Sequence, residues 1–172
     1  MEWIHFLTVG VAAFIAAGLT MYSGFGLGNL MLPVFALFFP VEMAVVATAL
    51  VHGANNVFKV SLLGRHADAG VVRKFGIAAV LSAIAGAALL GKLALFKHEM
   101  HWDLGAFSGT TDPLKLTIGL LMLLFALFEL LPRFRQLQFD RRWLPLGGIL
   151  SGFFGGLSGH QGALRSAFLV KT

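Results

Sequence analysis

Long apolar runs alternate with short polar connections along the chain. Residues 3–39, 41–63, 75–96 and 114–131 are each apolar over close to, or more than, the roughly 20 residues that cross a bilayer. They lack the polar outer face of a soluble amphipathic helix: from residue 75 to residue 91 the one polar side chain is Ser82. They also lack the alternation of a barrel strand. Lipid cannot hydrogen-bond a backbone, so such runs must satisfy their amides internally, as helices do. The pattern predicts an all-α integral membrane protein, a polytopic helix bundle.

The first run is too long for one crossing. It is interrupted at residues 23–29, where Gly24, Gly26 and Gly28 crowd together and disfavour helix. Residues 30–39 would then make only about 15 Å of helix, too short to span. A broken or re-entrant helix is expected. The same grammar returns near the other end: 144–154 is apolar, 155–162 interrupts it with Gly155, Gly156, Ser158, Gly159, His160 and Gln161, and 163–170 is apolar again. The strings Ser23-Gly24-Phe25-Gly26 and Ser151-Gly152-Phe153-Phe154 mark a tandem repeat. The expected organisation is a first transmembrane repeat over 1–143, with membrane segments 3–39 (broken), 41–63, 75–96 and 114–131, followed by the start of a second repeat over 144–172. Glycine-interrupted segments at corresponding places in two halves point to the binding site of a transporter. On the third run, Ala79, Ala83, Ala87 and Gly91, beside Ala78, Ser82 and Gly86, make a face that another helix can approach closely.

Composition sharpens this picture. Hydrophobic residues make up 58% of the chain and charged residues 12%, against about a quarter charged in soluble domains. The net charge of +5 does not signal nucleic acid, because the basic residues sit in connections. Arg65, Arg73 and Lys74 fall in one, and Arg133, Arg135, Arg141 and Arg142 in another two crossings later, which places both on one side. The positive-inside rule makes 64–74 and 132–143 cytoplasmic, and 97–113, with Glu99, Asp103 and Asp112, external. Trp3, Trp102 and Trp143 lie at or outside the ends of apolar runs, where the headgroup layer favours them. There is no cysteine, which removes disulfides and thiol chemistry. The start, Met1-Glu2-Trp3, has no basic region of a cleaved signal, so the first helix is expected to be retained. A multi-pass protein of a bacterial inner membrane is the expected setting.

Two clusters carry candidate chemistry. Thr48, His52, Asn55, Asn56 and Lys59 form one polar stripe on the otherwise apolar second helix. Such groups at membrane depth usually line a cavity, and Lys59 would pair with an anion. The bland alternative is that Lys59 snorkels to the headgroups while the asparagines join helices. In the second interruption, Ser158 and Gln161 have the spacing of a capping box, which would start a short helix near Gly159 with its N–H groups facing the break. Asn29 would cap the corresponding helix in the first. Arg165 adds a planar cation suited to an oxyanion. The alternative is that the glycines only pack and that Arg165 neutralises a carboxylate, but Glu42 and Glu129 lie at helix ends rather than deep in a helix. Gly24, Gly26 and Gly28 have no preceding strand to make a dinucleotide loop, and His98, His101, Glu99 and Asp103 read as a solvated loop rather than a metal site. No nucleophile with its base stands out, so no enzyme activity is expected.

Taken together, Gly24-Phe25-Gly26-Leu27-Gly28-Asn29-Leu30-Met31-Leu32-Pro33, Ala47-Thr48-Ala49 and Leu150-Ser151-Gly152-Phe153-Phe154-Gly155-Gly156 resemble the TauE/SafE family of sulfite and organosulfonate exporters. The resemblance runs over essentially the whole chain. It implies two tandem repeats of about four membrane segments and transport of small sulfur-containing anions. The sequence departs from that pattern by ending at Lys171-Thr172, inside what would be the first helix of the second repeat. A truncated second repeat is therefore expected, with the C-terminal half of the same protein, or a second copy, as partner.

The resulting expectation is a secondary transporter holding a small anion between the two glycine breaks. Asn55, Asn56, Ser158 and Gln161 would give hydrogen bonds and Lys59 and Arg165 charge. His52 or His160 would couple the cycle to protons. No cofactor, metal or nucleic acid is expected; the lipid bilayer and the anion are the other partners. The rival readings are a divalent metal-ion transporter using His52, His160 and Met43, and a non-transporting membrane assembly subunit.

Overall fold

The computed structural model describes residues 27–96, 98–131, 137–159 and 162–169, together with Trp3, Leu7, Gly10, Val11, Phe14, Ile15 and Gly18. Helices dominate these residues: α1 (Leu27–Ala36), α2 (Val41–Leu63), α3 (Ile77–Leu95), α4 (Pro113–Leu130), α5 (Leu144–Ser158) and α6 (Gly162–Leu169). Val41–Leu62, Ala69–Leu95 and Pro113–Leu130 are long and apolar enough to cross a membrane. Large apolar side chains such as Leu50, Val57, Val80, Ile84, Leu120 and Leu123 cover their outer surfaces. Water would not tolerate so continuous an apolar coat, whereas lipid requires it.

The third crossing starts earlier than its hydrophobic run. Asp68 accepts from the amides of Gly70 (2.8 Å) and Val71 (3.2 Å), capping the turn Ala69–Val71, and a π-helical stretch, Val72–Gly76, leads into α3. The amides of Val71 and Gly70, and then the guanidinium of Arg141, hold the Asp68 carboxyl below its ordinary range. Arg141 Nη2 lies 2.9 Å from Asp68 Oδ2, so the two basic connections meet on one side of the molecule, as their charges predicted. At the other side Asp112 caps α4 through the Lys115 amide (2.8 Å), with Pro113 in the first turn.

That other side also holds a β-hairpin where the sequence pattern predicts a solvated loop. Met100–Asp103 (β1) pairs antiparallel with Ser108–Thr111 (β2), Met100 opposite Thr111. Gly105, at φ 73°, donates its amide to Asp103 Oδ1 (2.9 Å) and turns the hairpin. Strands of four residues give too little periodicity to be read from the sequence.

The closest packing is between α3 and α5. A Cβ added at Gly148, Gly152 or Gly156 would collide with the backbone carbonyl of Phe75, Ala79 or Ala83 respectively, and one at Gly86 with the carbonyl of Phe153. Glycines every four residues on α5 therefore seat the backbone of the small-residue face predicted on α3. Ser82 spans the seam: its hydroxyl donates to Ala78 O (2.8 Å) and approaches Gly148 O at 3.4 Å. The larger core, with Met31, Leu32, Phe35, Ala44, Val45, Leu114, Ile118 and Leu157, joins α1, α2, α4 and the end of α5.

Gly152→Ala and Gly156→Ala should each destabilise the protein by about 1–3 kcal/mol through overpacking, although alanine is the better helix former. Gly119→Ala on α4, where a Cβ meets nothing within 4 Å, should leave the melting temperature unchanged or raised. Thermal melts of purified protein in detergent make the comparison, and equal tolerance of all three would show that the α3–α5 contact is not required.

Candidate functional site

The polypeptide reverses after α5. Ser158 ends that helix, Gly159 adopts the left-handed conformation at φ 73°, and α6 begins at Gly162. The return leg is fixed at its far end. Phe168 on α6 packs where a Cβ of Gly147 would stand, its ring stacks on Phe139 at 4.4 Å, and the Phe139 amide donates to Ala167 O at 3.0 Å. Both ends of this helical hairpin thus lie beside the basic connections, and its tip points to the opposite side.

The tip rests on α2. A Cβ at Gly159 would lie 3.4 Å from Thr48 Cγ2. Thr48 is fully buried, with its hydroxyl donating to Ala44 O at 2.8 Å. Seven residues separate it from the start of α2, so the tip sits about 10 Å inside that helix end. Ala36, the last residue of α1, is at the same end, and α1 rises from it by about 14 Å, bringing Leu27 to a similar depth. Leu157, next to the tip, shares one core with Met31 and Val45. Pro33 within α1 has no N–H, so the carbonyl of Asn29 cannot receive its usual helical bond.

The predicted stripe follows from Thr48 along the same face. His52, Asn55 and Asn56 are half-buried, and Lys59 is exposed, about 6 Å from the Leu63 end. On the hairpin, Arg165 is half-buried. Among the described residues the ion pairs are Lys115–Asp112 and Arg141–Asp68, so neither Lys59 nor Arg165 has an acidic partner. No group of three or more His, Asp and Glu side chains gathers among the described residues.

Several details differ from expectation. Ser158 does not head the short helix: it is the last residue of α5, and its hydroxyl donates to Phe154 O at 2.9 Å. Gly155 and Gly156 lie inside α5 rather than in the break, because contact with α3 supports the helix there, and α5 runs on to Ser158. Gly28 and Asn29 likewise belong to α1, which starts at Leu27 and not after Asn29. Gly24, Gly26, His160 and Gln161 lie outside the described residues, as does the string Ser23-Gly24-Phe25-Gly26.

Ser151 stands in the sequence only as part of a repeated string. It is fully buried, and its hydroxyl has no hydrogen-bond partner among the described residues. Four residues after Gly147, it shares the face turned to Phe168. Arg165, three residues before Phe168, occupies the neighbouring level on α6 by helix register. A glycine-to-serine period of four on α5, matched to an arginine on the return leg, is the signal that marks it.

Apolar helices of crossing length, a glycine-seated helix pair and a hairpin whose tip lies at depth define a polytopic helical membrane protein. The chain belongs to the sulfite exporter TauE/SafE family, whose profile matches residues 9–171. This is a family of membrane transporters rather than enzymes. No curated protein and no solved structure matched the chain.

Gly159→Asn should be tolerated better than Gly159→Val, since asparagine enters the left-handed region more readily than a β-branched residue. The separation expected is on the order of 1–2 kcal/mol. Melting temperatures of the two variants read it, and equal values would contradict the hairpin geometry.

Proposed function

We propose that this protein is a secondary transporter that exports a small sulfur oxyanion, sulfite or an organosulfonate, from the cytoplasm. The observation that carries the reading is a half-buried Arg165 with no acidic partner among the described residues, on a hairpin whose tip meets the polar stripe of α2. An intramembrane cation is costly unless something negative neutralises it, and a transported anion would do so on each cycle. The family supports the class of cargo.

On this reading the site lies between the glycine-rich ends of the two repeats. Arg165 supplies a two-pronged cation, Ser151 and Ser158 supply hydroxyls, and Asn55, Asn56 and Gln161 supply amide donors. Lys59, exposed near the basic side, draws anions to the mouth of the path. His52, on the stripe between tip and mouth, carries the proton that couples the cycle. The Arg141–Asp68 side is cytoplasmic, by the excess of arginine and lysine there. A metal cargo is disfavoured by two cations that have no acidic partner among the described residues.

Arg165→Ala should lower sulfite efflux about ten-fold or more, the loss expected for a charge-assisted hydrogen bond of about 1.5–3 kcal/mol. Lys59→Ala should chiefly raise the half-saturating concentration. Efflux from loaded cells or vesicles measures both; wild-type rates in Arg165→Ala, or efflux of divalent metals in place of sulfite, would overturn the assignment. The absence of native cysteine permits a clean topology test. A cysteine at Gly105 should react with an impermeant maleimide in intact cells, and one at His66 only after permeabilisation. The reverse pattern would invert the orientation.

A further inference from the structure

On the outer surface, away from the hairpin interior, α3 and α5 enclose an open groove of about 600 Å³. Its two ends differ in chemistry. At the basic side it is headed by Arg73 and Lys74, which the π-helical stretch Val72–Gly76 carries as neighbours. Deeper along α3 come Ile77 and Leu81, successive residues of one helical row with Arg73, and Ile149 of α5 forms the facing wall. All three apolar side chains are exposed. Neither Arg73 nor Lys74 has an acidic partner among the described residues, whereas Arg141 on the same side is engaged by Asp68.

A paired cation above an apolar trough, at the level where a transmembrane helix leaves the bilayer, matches an amphiphile with a negative head and a hydrocarbon tail. We propose that this groove is a binding site for an anionic phospholipid, with its phosphate between Arg73 and Lys74 and an acyl chain along Ile77, Leu81 and Ile149. The occupant is a lipid and not a soluble anion, because most of the lining is apolar and would remain uncovered by a free phosphate. It is anionic and not zwitterionic, because a phosphatidylcholine head carries its own cation and leaves both positive side chains uncompensated. Each basic residue near an anionic headgroup favours it roughly five-fold, so the pair should give about a twenty-five-fold preference. This inference is independent of what the protein transports.

The test is native mass spectrometry and thermal melting of the full chain in neutral detergent, with phosphatidylglycerol or phosphatidylcholine added at equal mole fraction. Phosphatidylglycerol should be retained preferentially and raise the melting temperature. Arg73→Gln with Lys74→Gln should abolish the preference, and the charge-keeping pair Arg73→Lys with Lys74→Arg should preserve most of it. Arg65→Gln with Arg142→Gln, removing two exposed cations of the same side that do not line the groove, should leave it intact. The proposal is overturned if the lipid preference survives Arg73→Gln with Lys74→Gln. It also fails if the Arg65 and Arg142 pair removes the preference equally, which would make the effect diffuse charge. Competition by glycerophosphate at matched concentration would likewise overturn it, as a headgroup-only site.

Discussion

The contact on which the rest of the described structure depends is the backbone-to-backbone approach of α3 and α5. In lipid, burying apolar side chains gives little drive for helices to associate, because the tails outside are equally apolar. What remains is close van der Waals packing and short polar contacts, and these need residues without bulk. Gly148, Gly152 and Gly156 leave room for the carbonyls of Phe75, Ala79 and Ala83, and Gly86 returns the favour for Phe153. Once α5 is seated in this way, its direction is fixed. Its end at Ser158 is delivered against Thr48 of α2, and its start, at Leu144, is held near Phe75 and Phe168.

The same contact explains why a glycine-rich helix stays helical where the sequence alone argues for a break. Glycine destabilises an isolated helix because its unfolded backbone has more freedom to lose. In α5 that cost is offset by dense contact along three turns, so Gly155 and Gly156 remain helical. The chain opens only at Gly159, beyond the last contact, where a positive φ lets the helix end. Glycine has two opposite uses within a dozen residues, and position relative to α3 decides between them.

This is also why the fold was more legible than the site. Crossing helices are written in the apolar runs, and the predicted 41–63 and 114–131 lie within a residue of α2 and α4. The small-residue face of α3 was visible from Ala79, Ala83 and Gly86, whereas its partner face on α5 was hidden inside a string that also suited a break. The third crossing begins before its apolar run, because Asp68 caps a helical turn within the basic connection, where hydropathy is silent. Of the candidate site residues, the α2 stripe could be read from period alone. Ser151 could not, since an isolated serine in an apolar helix usually bonds its own backbone, and only the fold shows that this one is buried with its hydroxyl unengaged among the described residues.

The depth of the hairpin tip connects packing to the proposed chemistry. Backbone that leaves helical geometry inside a membrane exposes amides and carbonyls that lipid cannot satisfy, and it persists where protein or a polar cavity surrounds it. Thr48, itself fully buried, covers one side of the tip. The stripe that continues from it toward Lys59 provides polar groups that a purely structural seam would not need, because Ser82 is enough to bridge the closely packed pair α3 and α5. Arg165 then stands on the return leg at the level of Ser151, where an unpaired guanidinium would be tolerated poorly by lipid and well by an oxyanion. The seam fixes the hairpin and so positions that cation, and the left-handed turn at Gly159 ends α5 at the tip. A transporter needs both: a fixed frame to define the site, and a short discontinuity whose polar atoms can change partners as the cargo passes.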